Sequence, residues 1–172
     1  KRMLSADGLE LMFATNHLTP FLLTRLLLDL LQASAPSTVI TVSAPSTSKL
    51  NFDDLQGESK FSSLNAFGAS KAANLLFTFA LARKLAGKGV TANAYHPGIV
   101  RTNLMGDAPT PMRLFLRLAS FRALPPEKAA EGLVWLAETR AGGTSGQLFH
   151  GQKVISASEY TRDQAVQERL WV

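Results

Sequence analysis

Apolar and polar positions follow two periods along the chain. From residue 8 to 32 the apolar residues recur at helical spacing, and from Phe21 to Leu31 they cover nearly the whole circumference. Asp7 stands where an N-cap belongs, with Glu10 three residues on as its capping-box partner, and Pro36 follows the end. Residues 38–43, Thr-Val-Ile-Thr-Val-Ser, are a β-branched run of the kind a buried parallel strand needs. A connection of about twenty residues, rich in Ser, Asp and Lys, is long enough for a functional loop. Residues 66–86 return to helical spacing and stop at Gly87 and Gly89. Val90 to Tyr95 reads as a second strand, ended by Pro97-Gly98. Residues 99–124 are irregular apart from an amphipathic piece around Met112 to Phe121. Pro125-Pro126-Glu127 opens a helix running to about Thr139, Gly146 to His150 reads as a third strand, and residues 158–170 as a closing helix. Helices alternating with strands predict an α/β domain, a parallel sheet covered by helices.

Composition narrows the classes. At 172 residues, 46% hydrophobic and 18% charged, the chain fits one globular domain. There is no cysteine, which excludes a disulfide framework and cysteine-ligated zinc and suits a reducing compartment; no metal site is expected. The net charge of +5 is modest and its carriers are scattered, which argues against nucleic-acid binding. Phe21 to Leu31, the longest apolar stretch, is broken by Arg25 and Asp29 and is too short to span a bilayer, and no signal peptide or membrane anchor is visible. These residues alone leave the location cytoplasmic or unknown.

Some positions suggest chemistry before any family is considered. Pro20 lacks an N–H, so the carbonyl of Asn16, four residues earlier in the first helix, loses its normal donor and needs another partner; a kinked core helix with a capped defect meets the same description. Lys71 shares a helix face with Phe67, Leu75, Thr78 and Ala82, a mostly apolar stripe in which a plain solvated charge is out of place. Pro97-Gly98 makes a turn at the C-terminal end of a strand, where open α/β sheets bind ligands.

The segment Ala66-Phe67-Gly68-Ala69-Ser70-Lys71-Ala72-Ala73-Asn74 is followed, one helix and one strand later, by His96-Pro97-Gly98-Ile99-Val100-Arg101-Thr102. In register with Thr15-Asn16-His17-Leu18-Thr19-Pro20, these segments resemble the short-chain dehydrogenase/reductase (SDR) family, closest to its retinol-dehydrogenase-like branch. The resemblance implies a site of Asn, Ser, Tyr and Lys. In the family the tyrosine exchanges a proton with the substrate oxygen, and the lysine lowers its pKa and holds the nicotinamide ribose. The serine hydrogen-bonds the substrate, and the asparagine carbonyl holds a water leading to the lysine. The matching positions here are Asn16, Ala44, Phe67 and Lys71. Phe67 stands where the tyrosine belongs and Ala44 where the serine belongs. Ser43 is the neighbour and should point the other way by strand alternation. Ser46 and Ser48, in the following loop, are candidates to reach inward. By the same resemblance Pro97, Gly98, Ile99, Val100 and Thr102 line the cofactor, NADP or NAD. The stretch from Asn103 to Leu124 is either a substrate lid or an ordinary amphipathic helix, with Met105, Met112, Leu114, Phe115, Leu118 and Phe121 as its apolar surface.

The match implies the C-terminal part of a Rossmann-like, doubly wound parallel sheet, residues 1–172 forming a single partial domain. The N-terminal nucleotide-binding half, about 90 residues in three βαβ units, is expected to be missing. The glycine cluster Ala141-Gly142-Gly143-Thr144-Ser145-Gly146 has neither the spacing nor the strand-to-helix context of a pyrophosphate cradle and reads as a turn. The implied activity is NADP(H)-dependent alcohol/carbonyl interconversion on a small apolar, retinol-like substrate, impaired by the two lost hydroxyls. The alternative is a non-catalytic binding or scaffold protein. The two long helices, 8–32 and 66–86, offer faces for a homodimer or for the missing half.

Overall fold

A computed structural model of the chain describes residues 1–101, 123–139 and 143–171. A helical run opens it: α1 (Leu11–Phe13), a π-helical turn (Ala14–Leu18) and α2 (Thr19–Ala33). Then come β1 (Ser37–Val42), α3 (Ser63–Lys84), β2 (Val90–His96), α4 (Pro126–Thr139), β3 (Leu148–His150), β4 (Lys153–Ile155), α5 (Glu159–Arg162) and α6 (Gln164–Trp171). No described helix is long and apolar enough to cross a membrane.

The sheet runs β1-β2-β3-β4. β1 and β2 pair in parallel from Ser37↔Val90 to Val42↔Tyr95, and β2 and β3 in parallel through Ala94↔Leu148. β4 folds back antiparallel on β3 through Leu148↔Ile155. The third strand is therefore the first arm of a short hairpin, turned at Gly151 (φ 57°), and a fourth strand joins the expected three. The glycine cluster precedes β3: Gly146 N–H donates to the Ala92 carbonyl, and Ser145 Oγ accepts from Ala92 N–H. Residues 140–142 lie outside the described set.

α3 is the central helix. From Ala72 to Ala82 it is buried all round, packed against β2, the π-turn and α6. A helix apolar on every side has to be covered on every side. α2 is not so covered: Leu22, Leu26 and Leu30 are exposed, Leu26 at 73%.

Several boundaries differ from the sequence reading. Glu10, not Asp7, caps the first helix, its carboxylate accepting from the Met12 and Phe13 N–H groups. Asp7 sits instead in a tight turn made by Gly8 (φ 79°), where Gly8 N–H donates to the Ser5 carbonyl and Ser5 N–H to the Leu9 carbonyl. α3 starts at Ser63 rather than 66, because Ser62 accepts from Asn65 N–H and serves as its N-cap. The closing helix breaks at Asp163, whose Oδ1 accepts from Ala165 and Val166 N–H and restarts the helix as α6.

Candidate active site

Phe67 and Lys71 lie one turn apart on the N-terminal half of α3. Helical side chains lean back toward the N-terminus, and Lys71 Nζ lies 5.5 Å from the Phe67 ring centroid. Lys71 is half-buried, and burial holds its pKa below the usual lysine value. Among the described residues its ammonium makes no hydrogen bond or ion pair. The ring face is its recorded partner.

The loop after β1 is fastened to this turn of α3. Ser43 is buried and its Oγ donates to the Lys71 carbonyl at 2.8 Å; Ser46 Oγ donates to the Gly68 carbonyl at 2.8 Å and accepts from Ser48 N–H at 3.2 Å. Ala44 stands between these two serines and brings only a methyl group. Ser46 does reach α3, but its proton is committed to a backbone carbonyl. Ser43 N–H donates to the Tyr95 carbonyl at 2.8 Å, which places the Ala44 loop beside the end of β2.

The π-turn supplies the third side. The Asn16 carbonyl, orphaned by Pro20, accepts from Asn74 Nδ2 at 3.0 Å. The Asn16 side chain donates from Nδ2 to Ser70 Oγ at 3.0 Å, and Ser70 Oγ donates to the Phe67 carbonyl at 2.8 Å. Asn74 Oδ1 lies 3.2 Å from His17 Nδ1, which fits a ring carrying its proton on Nδ1. His17 is buried among Phe13, Phe21 and Phe77, and that burial lowers its pKa to about 4 although Asn74 opposes the shift. Asn16 and Lys71 are thus joined through α3 itself: Ser70 precedes the lysine and Asn74 follows it by three residues.

The turn after β2 forms the remaining wall. Gly98 adopts φ 80°, a conformation that favours glycine, and a Cβ there would come within 3.1 Å of His150 Cε1, a tight contact that the exposed imidazole would have to relieve by a small shift. His150 Nδ1 lies 2.9 Å from the His96 carbonyl and donates to it, and the two rings are 5.2 Å apart. Burial and the neighbouring His150 lower the His96 pKa, with the Ser43 backbone opposing; its Nδ1 is buried and finds no partner of good geometry among the described residues. Val100 bridges Leu124: Leu124 N–H donates to the Ile99 carbonyl and Arg101 N–H to the Leu124 carbonyl. In such a bridge the backbone groups of Val100 itself turn to the opposite edge, and among the described residues they have no partner, whereas the Ile99 carbonyl is taken by Leu124. Thr102, and the lid residues Met105, Met112, Leu114, Phe115, Leu118 and Phe121, lie outside the described residues.

Hydrogen bonds through Ser70 and Asn74 join Asn16 to the turn of α3 that carries Phe67 and Lys71, and Ser43 and Ser46 tie the loop holding Ala44 to the same turn, with Pro97 and Gly98 following the end of the neighbouring strand. Reasoning from sequence missed Asn74, Ser70 and His17. A signal was present: Ser70, Asn74 and Thr78 form a polar row at four-residue spacing inside an apolar helix, and all are buried. Among the described residues no group of three or more His, Asp or Glu could hold a metal ion.

A family model described as short chain dehydrogenase matches residues 1–112. The chain is 39% identical over 175 residues to human Retinol dehydrogenase 14, covering 98% of this chain and 52% of that protein. It is also 39% identical over 178 residues to human Retinol dehydrogenase 13, covering 96% and 53%. It spans about half the length of the curated relatives it matches. Among solved structures, an uncharacterised protein from Mycobacterium Paratuberculosis superposes with TM-score 0.70 at 29% identity, over 99% of this chain and 59% of the other. An NADPH-bound carbonyl reductase from chicken fatty liver superposes with TM-score 0.60 at 20% identity, over 90% and 60%, which speaks for the fold alone.

Proposed function

The chain belongs to the short-chain dehydrogenase family, and on that premise we propose that it carries the lysine-bearing half of an NAD(P)-dependent alcohol/carbonyl oxidoreductase whose proton-donating hydroxyl is lost. The observation that carries the reading is the Lys71 amine lying against the ring of Phe67 at the position where the family has a phenol. The relatives named retinol dehydrogenases point to an apolar, retinol-like alcohol or aldehyde as substrate class, and NADP rather than NAD is the cofactor we assign to this reading.

A bound nicotinamide would supply or accept the hydride. Lys71, with no anionic partner among the described residues, would hold the ribose. The Val100 backbone would meet the carboxamide, against the wall of Pro97 and Gly98, with Ile99 beside it. Asn16 retains one carbonyl lone pair beyond the Asn74 bond, enough for a water toward Lys71. Phe67 and Ala44 keep the shape of a carbonyl pocket but provide no O–H to polarise or protonate the substrate oxygen. Losing a positioned acid–base group costs about 10²- to 10⁴-fold in rate.

The second reading, a non-catalytic binding or scaffold protein, is favoured by one observation: the two serines flanking Ala44 have their protons committed, whereas Ser48 Oγ, which lies against α3 at Gly68, donates to no acceptor among the described residues. Ser43 and Ser46 both spend their protons on α3 carbonyls. A homodimer belongs to either reading and would use the exposed leucines of α2, since the Ala72–Ala82 stretch of α3 is buried within the chain.

The test is hydride transfer from NADPH or NADH to an apolar aldehyde, measured on the native gene product and on its Ala44→Ser/Phe67→Tyr variant. The expected outcome is a clear gain in the variant with cofactor affinity unchanged. No gain, with cofactor bound, sinks the oxidoreductase reading and leaves the binding role.

A further inference from the structure

We propose that Lys71 is an aldehyde-trapping amine, forming a reversible imine with apolar aldehydes at the place where the family's phenol would have protonated them. The proposal rests on the assignment of Ala44, Phe67 and Lys71 to one carbonyl site, made above, and adds a chemistry that needs neither hydride nor cofactor.

The chain has eight lysines, and Lys71 differs from those whose surroundings are fixed. Lys84 is held by Glu168 at 2.8 Å and Lys128 by Glu131 at 2.9 Å. Lys71 has no carboxylate partner among the described residues. The half-buried side chain sets its Nζ over an aromatic face, and the loop that holds Ala44 is tied to the same turn of α3 by Ser43 and Ser46, whose protons are committed to backbone carbonyls. An ammonium placed this way is poorly solvated, and burial alone shifts its balance toward the neutral amine, the nucleophilic form. The ring face favours the cation and acts against this effect of burial. A phenol in place of Phe67 would have given the amine a partner. Its loss leaves the nitrogen lone pair as the strongest nucleophile facing the carbonyl position.

The step balances without a redox partner. The Lys71 nitrogen adds to the aldehyde carbon, a proton passes from nitrogen to oxygen through solvent, and water leaves, giving R–CH=N–Lys71. Hydrolysis reverses it. The apolar class follows from the Phe67 ring under the amine and from Ala44, which brings a methyl group where the resemblance expects a hydroxyl.

The experiment incubates the protein with decanal and cyanoborohydride near neutral pH, then maps reductively alkylated lysines by mass spectrometry over time. Lys71 is expected to be labelled severalfold faster than each of the other seven. Lys71→Arg, which keeps the charge, should lose most of the fast-phase label. In denaturant the preference should vanish, since it depends on the fold. Labelling of Lys71 no faster than that of Lys84 or Lys128 in the folded chain overturns the proposal, as does an unchanged fast phase in Lys71→Arg with a native circular dichroism spectrum. The outcomes separate the two readings. Labelled Lys71 with no hydride transfer in Ala44→Ser/Phe67→Tyr removes the oxidoreductase reading alone; hydride transfer restored with Lys71 unlabelled removes the imine alone.

Discussion

The side-chain amide of Asn74 donates to the backbone carbonyl of Asn16 at 3.0 Å, and the same amide's oxygen receives His17 Nδ1 at 3.2 Å. One side chain from α3 therefore satisfies both groups that the π-turn leaves over. Pro20 creates the need by removing an N–H, and the wider π-turn presents the freed carbonyl and His17 to the same neighbour. Asn74→Ala should leave a buried carbonyl and a buried ring N–H unpaired and cost about 1–3 kcal/mol in urea unfolding. A loss below about 0.5 kcal/mol, the size of an ordinary surface change, would mean the clamp is unimportant.

His17 should make the fold sensitive to mild acid. Its pKa is about 4 in the folded chain against 6.5 for the free side chain. Between those values the unfolded chain binds the extra proton, so stability rises with pH through the window. It is lost as pH falls from 6.5 toward about 4 and levels off below. Across the window the effect is about 3 kcal/mol. The measurement is urea unfolding at a series of pH values for the parent and for His17→Phe, which fits among Phe13, Phe21 and Phe77. The variant should lack this part of the slope. Parallel pH profiles for the two proteins would contradict the burial of a neutral imidazole.

The features legible in the sequence were those written in local pattern. The alternation of helices and strands, the long apolar α3, the start of α4 at Pro126 and the turn at Pro97-Gly98 all follow from period, capping and turn chemistry. The motif segments carried the family. What stayed hidden depended on partners distant in sequence. β4 is three residues long, and only pairing with β3 makes Lys153–Ile155 a strand. Asp7 had the right residue type for a cap, but the Gly8 turn moved the helix start to Glu10. The absence of an N–H at Pro20 announced that the Asn16 carbonyl needed a donor. That the donor is Asn74, 58 residues away, is a fact of tertiary packing. Strand alternation set Ser43 apart from Ser46 in the sequence, but that both hydroxyls end on α3 carbonyls, of Lys71 and Gly68, is again a fact of tertiary packing.

Restoring the phenol offers a test of the site that needs no cofactor. Phe67→Tyr puts a hydroxyl on the ring whose centroid lies 5.5 Å from Lys71 Nζ. An ammonium that near favours the phenolate, whereas burial alone disfavours it, so the two contributions have opposite signs and must be separated. The comparison is Phe67→Tyr against Phe67→Tyr/Lys71→Met, in which burial is kept and the charge removed. The phenol should ionise at lower pH when the lysine is present, with an acid constant larger by about tenfold. NMR with labelled tyrosine resolves the new signal from Tyr95, whose hydroxyl is pushed up by burial, and from Tyr160. Identical titration in the two variants would mean that the amine does not face the ring in solution. The cofactor and imine roles of Lys71 would then lose their common geometric basis.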